Sequence, residues 1–190
     1  MRWNLPTLLT WLRMLAIPLL AAIYLLPGDA SSMPTRNLLG TVVFVAAAVT
    51  DWFDGWLARR LGQVSAFGAF LDPVADKLLV CTALVLLLQM QRVDALVAVV
   101  IIGREIAISA LREWMAGTGA RASVAVHSIG KLKTIAQLVA IPMLLYHQPL
   151  FGVVPVHTIG TWLVYGAALL TLWSMTYYLR QAWPHLRDST

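Results

Sequence analysis

An all-α fold, a polytopic bundle of six transmembrane helices with both termini on the cytoplasmic side, follows from three features of the sequence. Of its 190 residues 59% are hydrophobic and only 12% charged, about half the charged share of an ordinary soluble domain. Six mainly apolar stretches approach or exceed the roughly 20 residues that a helix needs to cross a bilayer. The basic residues fall almost entirely on one side of those stretches, which sets their direction.

The first stretch runs from about Leu5 to Pro27, the second from Asn37 to Ala58 and the third from Ala69 to Met90. The fourth spans Val93 to about Met115, the fifth about Ile129 to Tyr146, and the sixth about Val156 to Leu179. Membrane strands would be shorter and would alternate polar with apolar residues, which these stretches do not. A cleaved leader competes for the first stretch, because Arg2 precedes it and Ala30, Ser31 and Ser32 follow. Arg13 interrupts that run, which also exceeds the roughly 7 to 15 apolar residues of a leader, so the stretch is expected to stay attached.

Arg2, Arg13, Arg59, Arg60, Lys77, Arg104, Arg112, Arg121, Lys131, Lys133, Arg180 and Arg187 fall on one side, with Arg36 and Arg92 on the other. Basic residues concentrate on the cytoplasmic side, so both termini are expected there. The net charge of +5 is then topology plus attraction to anionic lipid, with no nucleic-acid partner implied. Cys81 is the sole cysteine, which rules out an intrachain disulfide and suits packing in an apolar helix. Trp3, Trp11, Trp56, Trp114 and Trp183 lie near predicted helix ends, where indole rings anchor at the membrane interface. The loops around Asp29 and Pro149 are short, and no linker or repeat divides the chain, so residues 1–190 are read as one domain.

Acidic residues inside apolar stretches are the informative feature. Asp51 and Asp54 stand near the cytoplasmic end of the second stretch, Asp72 and Asp76 near that end of the third. Spacings of i to i+3 and i to i+4 put each pair on one helical face. The connector from Arg59 to Phe67 makes the two stretches antiparallel neighbours, so the four carboxylates are expected to meet. An ionised aspartate within the bilayer costs roughly 2.5–3.5 kcal/mol on insertion scales, and mutual repulsion adds to that. Arg59 and Lys77 offset part of the charge, and one or two divalent cations would offset the rest. Oxygen donors without cysteine or histidine at ligand spacing suit Mg²⁺ or Mn²⁺ over zinc, and magnesium commonly shares its sites with substrate phosphate. The competing reading is that the acids only pair with neighbouring bases. Gly55, Ala58 and Gly68 are small enough to let a ligand approach, although small residues also serve helix packing.

The run from Asp51 to Asp76 reads D-x2-D-G-x2-A-R-x8-G-x3-D-x3-D, with Asp51, Asp54, Gly55, Ala58, Arg59, Gly68, Asp72 and Asp76 at the specified positions. At every one of them it resembles the signature of the CDP-alcohol phosphotransferase family. The resemblance implies a six-helix, usually dimeric membrane enzyme that transfers a phosphatidyl or similar group from a CDP-linked donor to an alcohol and releases CMP. It implies that Asp51, Asp54, Asp72 and Asp76 hold two divalent ions, Mg²⁺ or Mn²⁺, and that Asp76 doubles as the base. Gly55, Ala58, Arg59 and Gly68 would line the CDP site, with Thr10 and Arg13 of the first helix facing the donor phosphates.

The acceptor is addressed by a second group of polar residues. Arg104 and Arg112 lie eight apart on the fourth stretch with Ser109 between them, and Lys131 and Lys133 open the fifth. Together they are expected to form a basic pocket for an acceptor that carries its own phosphate. The competing reading has Arg104 with Glu105 and Arg112 with Glu113 in structural ion pairs. The blocks Asn4 to Arg13, Arg104 to Trp114 and Gly130 to Thr134 are similar to the bacterial branch of the family. That likeness implies CDP-diacylglycerol as donor, sn-glycerol 3-phosphate as acceptor and a cytoplasmic-side site in the inner membrane. Serine, inositol phosphate and phosphatidylglycerol are the alternative acceptors. A divalent-cation transporter is the reading outside the enzyme class, and placement of the acids at one side of the membrane counts against it. His127, His147, His157 and His185 share no spacing that suggests catalysis.

Overall fold

The computed structural model describes residues 5–27, 32–61, 66–117 and 128–187. The described elements are α1 (Leu5–Leu25), α2 (Met33–Leu61), α3 (Ala66–Gln89), α4 (Ala95–Gly117), α5 (Ser128–Tyr146) and α6 (Val156–Arg187). All six follow the apolar stretches of the sequence. Two run past them: α2 continues through the whole Asp51–Arg59 segment, and α6 extends beyond Leu179 to Arg187. A polar sequence continues a helix readily once an apolar segment has nucleated it. Pro18, Pro73 and Pro142 lie inside helices, each removing one N–H from the backbone ladder.

Helix α1 packs against both α2 and α3, and these two touch each other less than either touches α1. Helix α5 joins α6 in a close hairpin and also meets α2, while α4 packs on α6. Leu20 of α1, Phe44 of α2, Leu84 of α3, Ile101 of α4, Ile141 of α5 and Val164 of α6 are buried in one core. Between apolar helices in lipid such a core is held by dispersion and close fit, since the surrounding tails are as apolar as leucine. Gly40 marks a close approach: a Cβ built there would overlap the Tyr24 ring of α1. Gly40→Ala is therefore expected to displace Tyr24 and destabilise the chain by about 1–3 kcal/mol, read as a lower thermal midpoint in detergent.

The helix ends are closed by recognisable devices. After α3, Gln91 adopts a left-handed conformation (φ 56°), Arg92 N–H donates to Leu87 O at 2.8 Å and Gln91 N–H to Leu88 O at 3.0 Å. That is a Schellman closure with glutamine where glycine is usual. The α5–α6 turn is closed by paired Leu150 and Val154 backbone bonds, with Gly152 at φ 73°. Arg36 and Arg92, which the charge pattern sets apart from the other bases, both hold helix ends. Arg36 donates to Leu26 O and Pro27 O at 2.9 Å each. Arg92 donates to Leu144 O and Leu145 O at 3.1 and 2.8 Å and to Asn37 Oδ1 at 3.0 Å. Both satisfy carbonyls that a helix C-terminus leaves without internal partners.

Among the described residues two segments, Met33–Asp51 and Val156–Tyr177, are long and apolar enough to cross a membrane, and Leu9–Leu25 and Leu132–Tyr146 are shorter apolar segments. Asp72, Asp76 and Lys77 interrupt the apolar run of α3, as Arg104, Glu105, Arg112 and Glu113 interrupt that of α4. The outer surface is apolar as well: Leu96, Val99, Ile106, Trp162, Leu169 and Trp173 are all more than half exposed. A surface of that kind is suited to lipid or to another protein, not to water.

Candidate active site

Three of the four signature aspartates have described side chains, and α1 is what links them. Thr10 and Arg13 stand one turn apart on a single face of α1, and both are buried. Thr10 Oγ1 donates to Asp72 Oδ1 at 2.6 Å. Arg13 Nη1 lies 2.9 Å from Asp51 Oδ1 and 3.2 Å from Asp76 Oδ1, its side chain fully enclosed while those of Asp51 and Asp76 are 39% and 46% exposed. One guanidinium nitrogen thus draws α2 and α3 together through carboxylates that still face the outside. Such charge-assisted contacts are the stronger kind of hydrogen bond.

Helices α2 and α3 touch, and α1 is a wedge that packs more extensively against each of them than they do against each other. Its Thr10 and Arg13 contact the Asp72, Asp51 and Asp76 carboxylates. Asp54, Gly55, Ala58 and Arg59 lie on α2 and Gly68 on α3, with side chains outside the described residues. Among the described residues no three His, Cys, Asp or Glu side chains come together as a ready metal cage. The donor chemistry nevertheless fits a hard divalent cation. Asp51, Asp72 and Asp76 offer carboxylate oxygens alone, no thiol or imidazole among the described residues lines the cleft, and half-exposed acids leave room for water and phosphate.

Asp51 and Asp76 open into a cleft of about 300 Å³, lined also by Ala48, Pro73, Lys77, Leu79, Val80, Glu105, Thr134, Gln137 and Leu138. A second, apolar groove of about 280 Å³ between α2 and α5 adjoins it, sharing Ala48 and Leu138 and adding Phe44, Val45 and Val49. A cleft that carries Asp51, Asp76, Lys77 and Glu105 in an otherwise largely apolar lining therefore adjoins a wholly apolar groove on the flank of the bundle.

The two described basic residues on the far wall, Arg104 and Lys133, are buried in ion pairs. Lys133 Nζ and Arg104 Nη1 converge on Glu105 Oε1, the arginine at 3.2 Å, and Arg104 Nη2 donates to Ser174 Oγ of α6 at 3.1 Å. Arg104 and Lys133 are 5% and 3% exposed, and Glu105, not these cations, lines the cleft. For this pair the ion-pair reading describes the geometry, because burying two cations requires a counter-charge. Ser109 Oγ donates to the Glu105 carbonyl at 2.5 Å, within its own helix. Arg112 and Lys131 lie on α4 and α5 with side chains outside the described residues. Among the described residues the cation that lines the cleft is Lys77, which the charge pattern offers as an offset for the acids.

Two features escaped the sequence reading: the pairing of Glu105, foreseen as a partner of Arg104, with Lys133 of α5 as well, and Gln137 as a cleft residue. A glutamine one turn after Lys133 in an apolar helix was the available signal for the second. The described histidines, His147 and His157, do not line the cleft at Asp51 and Asp76. His147 and His157 meet edge to face at 4.5 Å beside Arg92, and burial, then Arg92 and His157, hold the His147 imidazole below its usual pKa. His127 lies outside the described residues, as does the side chain of His185.

Comparison with known proteins agrees with this arrangement. Residues 3–173 match the family described as CDP-alcohol phosphatidyltransferase. The chain is also similar to proteins named CDP-diacylglycerol--glycerol-3-phosphate 3-phosphatidyltransferase. Those of Escherichia coli, Salmonella choleraesuis and Shigella flexneri are each 48% identical over 190 residues, covering 99% of this chain and 100% of the relative. With the signature spaced along α2 and α3 and the match extending over most of its length, the chain belongs to the CDP-alcohol phosphatidyltransferase family.

Proposed function

We propose that this protein transfers the phosphatidyl group of CDP-diacylglycerol to sn-glycerol 3-phosphate, giving phosphatidylglycerophosphate and CMP. The observation that carries the reading is the Arg13-linked pair Asp51 and Asp76, half exposed at the mouth of a cleft that continues into an apolar groove. A substrate with a charged head and two acyl chains needs both compartments side by side. The full-length likeness to relatives named for this reaction supports the choice of acceptor.

In this reading the six helices all span the membrane, both termini are cytoplasmic, and the aspartates face the cytoplasm of a bacterial cell. The basic residues on that side support the orientation. The chain acts as one domain and as a homodimer, as the family resemblance implies.

Asp51, Asp54, Asp72 and Asp76 would hold two Mg²⁺ or Mn²⁺ ions, which when bound neutralise the diphosphate and stabilise departing CMP. Gly55, Ala58, Arg59 and Gly68 line the CDP site. Thr10 fixes the Asp72 carboxylate, and Arg13 fixes those of Asp51 and Asp76 before substrate arrives, which lowers the ordering cost of binding. The 1-hydroxyl oxygen of glycerol 3-phosphate attacks the lipid-bearing phosphorus as its proton passes to the Asp76 carboxylate. The bond from that phosphorus to the CMP oxygen breaks, and CMP leaves with the electron pair. The acceptor phosphate rests on Lys77 and on the positive field of Arg104, Arg112, Lys131 and Lys133, with Ser109 bracing α4 behind them.

The apolar groove takes an acyl chain. Val49→Trp is expected to fill it, raising KM for long-chain CDP-diacylglycerol about tenfold, equivalent to roughly 1.4 kcal/mol, with KM for glycerol 3-phosphate unchanged. A short-chain donor would be largely insensitive to the change.

The test of the function is product identity. Purified protein in Mg²⁺ would be offered CDP-diacylglycerol with glycerol 3-phosphate, serine, inositol phosphate or phosphatidylglycerol in separate reactions. Phosphatidylglycerophosphate from the first alone is the expected result. Transfer to serine with none to glycerol 3-phosphate would overturn the choice of acceptor.

A further inference from the structure

Gln137 is the most conspicuous polar group in the cleft that the reaction above leaves unused. It lies on α5, 4% exposed, among the residues that line the cleft with Asp51 and Asp76. Its Nε2 is enclosed and has no hydrogen-bond partner among the described residues. A buried amide donor left unsatisfied is destabilising, so a helix in lipid would be better served by leucine at that position unless a ligand supplies the missing acceptor.

The chemistry of the wall says which ligand group that is. A phosphate would seek a cation, and Lys77 lines the same cleft. A metal would seek the carboxylates. An amide is neutral and both donates and accepts, so it is complementary to an alcohol hydroxyl. Glycerol 3-phosphate carries two hydroxyls, one of which is consumed at Asp76, leaving the secondary hydroxyl to be read. We propose that Gln137 is a specificity-determining residue that hydrogen-bonds the non-reacting 2-hydroxyl of the phosphorylated polyol acceptor. This rests on the acceptor reading given above and deepens it.

A site that hydrogen-bonds a hydroxyl discriminates strongly against the analogue lacking it, because its polar group then stays unsatisfied. The probe pair is glycerol 3-phosphate and 3-hydroxypropyl phosphate, which keeps the phosphate and the attacking hydroxyl and lacks the 2-hydroxyl. Native protein is expected to favour glycerol 3-phosphate at least about tenfold in kcat/KM. Gln137→Leu is expected to bring the ratio near unity, mainly by raising KM for glycerol 3-phosphate, with KM for CDP-diacylglycerol unchanged. Its thermal midpoint in detergent should hold or rise, since an unsatisfied amide has been replaced by an apolar group.

The ratio of the two acceptors is internal to each protein, so partial loss of folded enzyme does not obscure it. A Gln137→Leu protein that retains the native ratio overturns the proposal. So does a rise confined to KM for CDP-diacylglycerol, which would place the amide on the donor diphosphate. A fall in thermal midpoint with the ratio preserved would assign Gln137 to helix packing. Native protein inactive with glycerol 3-phosphate but active with another alcohol would instead overturn the acceptor reading itself.

Discussion

Asp76→Asn is expected to lower CMP release from CDP-diacylglycerol by about 10³-fold or more, with the chain still folded, since a positioned general base alone contributes roughly 10²–10⁴-fold. Asparagine preserves the volume, and its amide oxygen can still accept from Arg13 Nη1, which lies 3.2 Å from Asp76 Oδ1 in the native chain. What it loses is the capacity to take the proton of the attacking hydroxyl and one negative charge at the diphosphate site. Asp94→Asn supplies the control. Asp94 accepts from Tyr165 beside Arg92 and His157 in a separate pocket, so its neutralisation should leave activity within about twofold, the range of a surface change of ±0.5 kcal/mol. Comparable losses in both variants would show that any carboxylate change damages the bundle and would remove Asp76 from the chemistry.

The second large effect belongs to Arg13. Breaking a buried ion pair by removing one partner costs about 3–5 kcal/mol. Here the guanidinium is fully enclosed but Asp51 and Asp76 are 39% and 46% exposed, so solvent screening reduces the expected loss to about 1–2 kcal/mol. Arg13→Met keeps an unbranched stem in place of the aliphatic part of the side chain and leaves Asp51 and Asp76 without that positive charge. The expected result is a lower thermal midpoint in EDTA that Mg²⁺ partly restores, because a divalent cation bound by the same acids supplies the charge that was removed. A midpoint equally depressed with and without Mg²⁺ would contradict the assignment of these carboxylates to metal. Arg13→Lys should fall between the two, since an ammonium carries the charge without the guanidinium fork.

The helices were legible because long apolar stretches mark them by length and composition, and α1 to α6 fall on the six apolar stretches. Helix ends were less so: α2 and α6 run on through polar sequence, which hydropathy alone does not register. The carboxylates were legible too, as acids where the bilayer penalises them. The wedge between them was not. Thr10 and Arg13 reach Asp72 and Asp76 across more than sixty positions of sequence, and helical periodicity specifies a face but not the neighbour that face will meet. The same limit explains the basic residues. Arg104, Lys133 and Glu105 were each visible as charges, yet whether two cations open to a cleft or close on a carboxylate depends on how α4 and α5 rotate against each other.

Glycine and proline show the same division. Gly55 and Gly68 drew notice through the signature, whereas Gly40, which lets α1 approach α2 at Tyr24, carries no motif and is explained by packing alone. Pro73 follows Asp72 directly and lines the cleft, so the residue least suited to a helix interior stands beside the acids.

The central claim is that the acids gathered around Arg13 carry out acceptor-dependent transfer from a CDP-linked lipid. It is tested most directly by measuring CMP release from CDP-diacylglycerol by the purified native protein, with and without glycerol 3-phosphate, in Mg²⁺ and in EDTA. Release that requires both the acceptor and the metal is the predicted result. No release from folded protein under any of the four conditions, or release that is indifferent to the acceptor, would contradict it.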